Sequence, residues 1–134
     1  MKRVLDCRGS DFRQMGREDF KRAILASEGR TVMAETIASS QPLFPEVSNP
    51  EIMKAFGADF ILLNIFDVFH PHVKGVVPYN VLQPTENENN ADELVIKTIK
   101  KLTGLPVGIN LEPVNPDATA YEELYTISEG RTAT

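Results

Sequence analysis

Tryptophan is absent from these 134 residues, and cysteine occurs once, as Cys7. A lone cysteine excludes an internal disulfide and any CxxC metal cage. Long hydrophobic runs are missing too. The longest apolar stretch, Phe60 to Phe66, is interrupted by Asn64 and falls far short of the ~20 residues a membrane span needs. The opening MKRVLDCRGS is basic without an apolar h-region, so it does not read as a secretory signal. Neither G-x-G-x-x-G, a phosphate-loop lysine motif nor G-x-S-x-G occurs, so nucleotide binding and serine hydrolase chemistry have no support.

What remains is an ordinary globular balance, 42% hydrophobic and 25% charged. A chain this long buries roughly 68% of its unfolded surface, enough for one core. The net charge of −5 is unevenly spread. Residues 1–30 carry eight Lys and Arg against five acids, and the remainder carries six against fourteen. This basic helical head could contact phosphate or a second subunit; a solvated helix face is the plainer reading. The acidic whole, without basic residues interleaved with aromatics, argues against nucleic acid. The expectation is one soluble, cytoplasmic α/β domain over residues 1–134, with neither a membrane nor a nucleic-acid partner.

Along the chain, helical and extended textures alternate. Phe20, Ala23, Ile24 and Ser27 fall at helical spacing and predict a helix over 17–27, stopped by Gly29. Thr31–Glu35 reads as a strand, followed by a loop punctuated by Pro42 and Pro45. Ser48-Asn49-Pro50-Glu51 is a helix-start signature, with Ile52, Met53 and Phe56 as the apolar face and Gly57 as the stop. Phe60–Leu63 is continuously apolar, as a strand buried on both faces would be. Residues 65–90 form a long connection. Phe66–Val73 is apolar enough to pack, and a mobile loop is expected over about 74–90.

Asn90 caps a helix over 91–103, with Leu94, Val95, Ile99 and Leu102 as its buried stripe. Gly104 stops it, Leu105–Glu112 reads as a third strand, and 117–128 as a weaker helix. Strands alternating with helices mean a parallel sheet. Two architectures fit: a small open sheet, or the N-terminal half of a TIM-type (β/α)8 barrel, whose usual length is ~250 residues. Three strands are few for a free-standing parallel sheet, which favours the half barrel. Its uncovered edges invite a homo-oligomer or a missing C-terminal half as partner.

Ligands of parallel sheets bind beyond the carboxyl ends of the strands. That rule selects Glu35 and Thr36, then Asn64 and Asp67, then Asn110 and Glu112. Carboxylates and amides around one mouth could divide acid and base roles or hold a hard cation such as Mg²⁺. Glu35, Asp67 and Glu112 are the catalytic candidates, and Thr36, Asn64 and Asn110 the substrate-binding ones. Such residues also cap loops through their own backbone. His70 and His72 would need a third ligand from elsewhere to bind zinc, and no metal site is assigned. The single thiol, Cys7, adjoins Arg8, which could lower its pKa, but no partner histidine lies near in sequence. One short repeat occurs, Ser27-Glu-Gly-Arg-Thr31 recurring as Ser128-Glu-Gly-Arg-Thr132, either a helix terminator used twice or a duplicated anion-contacting arginine.

Phe60 to Phe69 resembles the first motif of haloacid-dehalogenase-like hydrolases, in which an apolar strand delivers a nucleophilic aspartate, here Asp67. After that aspartate the motif expects Gly-Thr-Leu or similar, where His70-Pro71-His72 stands instead. A broader resemblance runs through Leu5–Phe12, Glu28–Thr31 with Ala34–Ile37, Phe56–Asp59, Asn64–Asp67 and Pro106–Pro113. Together these blocks resemble an uncharacterised bacterial (β/α)8-barrel family labelled haloacid dehalogenase-like hydrolase or phosphoenolpyruvate phosphonomutase-like. The resemblance implies further βα units beyond Thr134, so that the 134 residues alone would be inactive. The leading expectation is a hydrolase or lyase acting on a small carboxylated or phosphorylated metabolite. A hydrolase built on Asp67 and a non-catalytic ligand-binding or regulatory barrel are the alternatives.

Overall fold

The computed structural model describes residues 2–77 and 91–112. A 3-10 turn (Val4–Asp6) precedes helices α1 (Gly9–Phe12) and α2 (Arg17–Ala26). Strand β1 (Met33–Ile37), helix α3 (Asn49–Ala55), strand β2 (Phe60–Asn64), helix α4 (Ala91–Thr103) and strand β3 (Val107–Ile109) follow. The expected helix over 117–128, its residues Tyr121, Leu124 and Tyr125, the Asn90 cap and the second copy of the repeat lie outside the described residues.

Local chemistry sets the boundaries. Glu51 Oε2 accepts the Ser48 amide at 3.1 Å and the Ser48 hydroxyl at 2.6 Å, which fixes the start of α3 beside Pro50. Gly29, Gly57 and Gly104 all carry positive φ where α2, α3 and α4 give way to the next segment.

The three strands form one parallel sheet in the order β1-β2-β3. Met33 pairs with Phe60 and Ile37 with Asn64 across the first junction; Ile61 pairs with Val107 and Leu63 with Ile109 across the second. Strand residues alternate between faces, so this register sorts the side chains into two sets. Ile61 and Leu63 are completely buried, against Val95 and the completely buried Ile99 of α4 and against Met53 of α3. Ala38, Ala58, Phe66, Val73, Val76 and Leu105 complete that core; of the stretch expected to pack, Phe66–Val73, only the two ends do so, and Val68 and Phe69 are exposed because the loop between them turns outward. Met33, Glu35 and Ile37 of β1 are exposed, and Phe60, Leu62 and Asn64 of β2 are half-buried.

Several boundaries and exposures differ from expectation. The Val32 carbonyl accepts the amides of Asp59 and Phe60, and its own amide donates to Asp59 Oδ2. That ties residue 32 to the turn before β2, and β1 starts at Met33 instead of Thr31. Strand β3 is limited to Val107–Ile109 rather than 105–112, because Leu105 belongs to the turn closing α4, where its amide donates to Thr103 Oγ1. Strand β2 is buried on one face only, since the core helices pack on the side of Ile61 and Leu63. Phe56 stands past the last turn of α3 as its C-cap and is 86% exposed, so it plays no part in the core. Leu102 lies on the flank of α4 and is exposed, while Thr98 and Thr103 are buried in its place. Among the described residues no helix is long and apolar enough to cross a membrane.

Candidate functional site

The face of the sheet turned away from α3 and α4 is closed at one end and polar at the other. Near the N-terminal ends of the strands, Phe60 meets Phe20 of α2 edge-on with ring centres 5.8 Å apart, and Phe20 meets Phe12 at 6.1 Å. This aromatic chain docks the head against the sheet. Toward the C-terminal ends of β1 and β2, Glu35 and Asn64 come together on the same face. Asn64 Nδ2 donates to Glu35 Oε1 at 2.6 Å.

The register explains that contact. Glu35 is opposite Leu62, so Asn64 is its diagonal neighbour two residues farther along β2. Asn64 Oδ1 in turn accepts the Ile65 amide at 2.8 Å. Both ends of the amide are thereby engaged, and the Asn64 side chain is fixed. Glu35 Oε2 has no hydrogen-bond partner among the described residues. One carboxylate oxygen is held and the other faces outward, which suits a group that accepts a proton or a hydrogen bond from a ligand.

Ile65 adds a second mark. Its φ of 55° is in the left-handed region that a β-branched residue rarely adopts. Strain of this kind clusters at functional sites, where surrounding contacts hold it in place. Nothing in sequence spacing marks Ile65; only the backbone geometry reveals it.

The remaining candidates divide. Thr36 pairs with Leu63 and is buried on the helix-covered face, away from Glu35 and Asn64. Asn110 extends the β2–β3 ladder, donating its amide to the Leu63 carbonyl at 2.9 Å, and is exposed beyond the end of β3. Glu112 is half-buried two residues farther on. Asp67 shapes the loop after β2: its Oδ1 accepts the amides of Phe69 at 2.8 Å and His70 at 3.0 Å, and His70 Nδ1 lies 3.7 Å from Oδ2. This is the loop-capping geometry that aspartate commonly provides. Asp67 is therefore tied to its own loop through these contacts.

Among the described residues no group of three His, Cys, Asp or Glu is arranged to hold a metal ion. Arg30, the arginine of the first repeat copy, donates to the Ser27 carbonyl and to Glu28. Its local role is to close the end of α2. The Cys7 thiol is held above its ordinary pKa, chiefly by burial and then by Asp11, with Lys2 offsetting this in part. The lowering anticipated from the neighbouring Arg8 is not found, because burial dominates.

A family model described as Domain of unknown function (DUF7916) matches residues 5–134. The chain belongs to this family. The matched span takes in the basic head from Leu5 onward, the three strands and every candidate residue above. No curated protein and no solved structure matches the chain.

Proposed function

We propose that this member of the family is the N-terminal half of a TIM-type (β/α)8 barrel and acts as a hydrolase or lyase on a small carboxylated or phosphorylated metabolite. The observation that carries this reading is the Glu35–Asn64 hydrogen bond of 2.6 Å, on the face turned away from α3 and α4 and toward the carboxyl ends of adjacent parallel strands. Barrel chemistry is placed at those strand ends. Strands in chain order with the core helices on one side give the layering of a barrel wall, helices outside and the other face turned inward.

In this reading Glu35 is the proton acceptor or ligand-orienting carboxylate, and Asn64 positions it. Asn110 lines the next strand end and Glu112 the loop beyond it. Asp67 holds the intervening loop in shape, and a hard cation such as Mg²⁺ would find its oxygen ligand in Glu35. The exposed face and the edges of β1 and β3, which pair with no further strand among the described residues, take up further βα units, from a second copy or from continuing chain. The setting is cytoplasmic, where an unpaired Cys7 stays reduced.

The test is a nuclear magnetic resonance screen of the full chain with small carboxylates and phosphate monoesters, followed by assay of any binder for product. Binding should move the amides of Asn64 and Ile65, and Glu35→Gln should weaken it by about ten-fold or more, the usual worth of a hydrogen bond to a charged group. Product formed as fast by Glu35→Gln as by the unaltered chain would refute the catalytic assignment. Binding without any product would leave a ligand-binding module instead.

A further inference from the structure

At the other end of the sheet, under the N-terminal ends of β2 and β3, lies a cleft of about 850 Å³. Its floor is apolar, built from Phe12, Met15, Phe20 and Phe60, all half-buried. Among the described residues its walls carry five cations and no acid: Arg13 and Arg17 from the head, and Lys97, Lys100 and Lys101 from α4. The nearest carboxylate to the Gly16 edge belongs to Asp19, which is engaged with Arg22 at 2.6 Å.

Two ordinary explanations cover only part of this arrangement. Lysines in the last turns of α4 complement the helix dipole, which accounts for Lys100 and Lys101. Surface cations are also commonly satisfied by local pairing, and in the head Lys2, Arg3, Arg22 and Arg30 each have an acidic partner. Arg13 and Arg17 do not follow that pattern. Together with that of Lys100, their side chains make no ion pair or hydrogen bond among the described residues, and they arrive at the same concavity from separate elements. Helix α2 also opens there with Gly16 as its N-cap and no side chain capping its first amides. Unpaired guanidinium groups around an aromatic floor match a ligand with an anionic end and a flat apolar end.

We propose that this cleft is a second binding site, specific for a small organic phosphate or carboxylate that carries a planar apolar group. The phosphate or carboxylate sits between Arg13, Arg17 and Lys100, and the ring lies against Phe12, Phe20 and Phe60. The site is independent of the Glu35–Asn64 end and stands whether or not that end is catalytic.

The test uses phenyl phosphate as probe on the full chain, followed by calorimetry and amide shifts, with inorganic phosphate as the comparison. Phenyl phosphate should bind saturably at the cleft, moving the amides of residues 12–20 and 100–107 independently of any shift at Asn64 and Ile65. It should bind about ten-fold or more tightly than inorganic phosphate, because the ring is removed from water against the aromatic floor. Affinity should fall as salt is raised. The combined change R13Q/R17Q/K100Q should weaken binding by at least about ten-fold, while Glu35→Gln leaves it unaltered. Should the triple variant lose its fold, R17Q alone and the salt series on the unaltered chain decide the matter. Absence of saturable binding, shifts confined to residues outside the cleft, equal affinity for inorganic phosphate, salt-independent affinity, or full affinity in the arginine variants would each overturn the proposal.

Discussion

The backbone of Gly9 lies directly against that of Gly104: a Cβ placed on Gly9 would stand 3.1 Å from the Gly104 Cα and 3.2 Å from its carbonyl oxygen. The start of α1 approaches the end of α4 this closely because Gly9 has no side chain there; a Cβ on Gly104 would meet Gly9 at an ordinary 3.7 Å. Gly104 also carries a φ of +68°, which side chains disfavour. Both atoms facing Gly9 are backbone, so they cannot swing aside. Gly9→Ala should therefore lower stability by about 1–3 kcal/mol, the usual cost of overpacking. Thermal unfolding followed by circular dichroism checks this.

Strand and helix order were legible in the sequence because each element carries its own local signature. The periods of α2 and α4, the Ser48–Glu51 start and the stops at Gly29, Gly57 and Gly104 need no tertiary information. What escaped the sequence depends on who packs against whom. The apolar run 60–63 looks the same whether one face or both are covered, and only the one-sided core settles it. Glu35 and Asn64 were legible as strand-end polar residues. Their contact was not, because it depends on a register of β1 that begins two residues later than the local pattern suggests. The cations of the cleft are 80 or more positions apart, Arg17 from Lys97, and nothing local joins them.

The Ser48 side chain is buried and bonded to Glu51 at 2.6 Å, so its hydroxyl cannot turn to water if that bond is lost. Ser48→Ala should cost about 0.5–2 kcal/mol, as removal of a helix-start side chain does. Urea titration would register the loss as a lower midpoint with an unchanged slope.

Neighbouring residues of β2 allow the two faces of the sheet to be compared directly. Ile61 is wholly buried under α4, and Leu62 is half-buried on the other face. Ile61→Ala should cost about 2–5 kcal/mol, whereas Leu62→Ala should cost about half that or less. The comparison also probes the barrel proposal. If further βα units cover the face turned away from α3 and α4 in solution, the cost at Leu62 will rise to that at Ile61 as concentration increases and copies associate.

Acid should loosen the head before it affects the core. The Lys2 ammonium holds Asp11 below the usual carboxylate range, helped by the Arg8 amide donating to Asp11 Oδ2 at 2.7 Å, and Arg3 does the same for Asp6. A carboxyl whose folded pKa is depressed contributes stability that is present above its unfolded pKa of about 3.9 and lost as pH falls through the folded value. The Arg8 amide is a direct reporter of Asp11. Its resonance should stay constant from neutral pH to about pH 4 and shift only below that. A midpoint at or above the ordinary aspartate value would contradict the pairing, and Lys2→Ala should raise the midpoint.

The same segment supplies a chemical probe, because Cys7 is half-buried and its thiol donates to the Arg3 carbonyl at 3.1 Å. Burial holds the thiol above its ordinary pKa, so the reactive thiolate is scarcer at pH 8 than in a free thiol. Alkylation by iodoacetamide should consequently run several-fold slower than for glutathione, and unfolding in urea should abolish the difference. Gly9→Ala, by pushing the head away from α4, should accelerate the reaction in the native protein. A thiol already as reactive as glutathione before unfolding would mean that this segment does not pack as its contacts require.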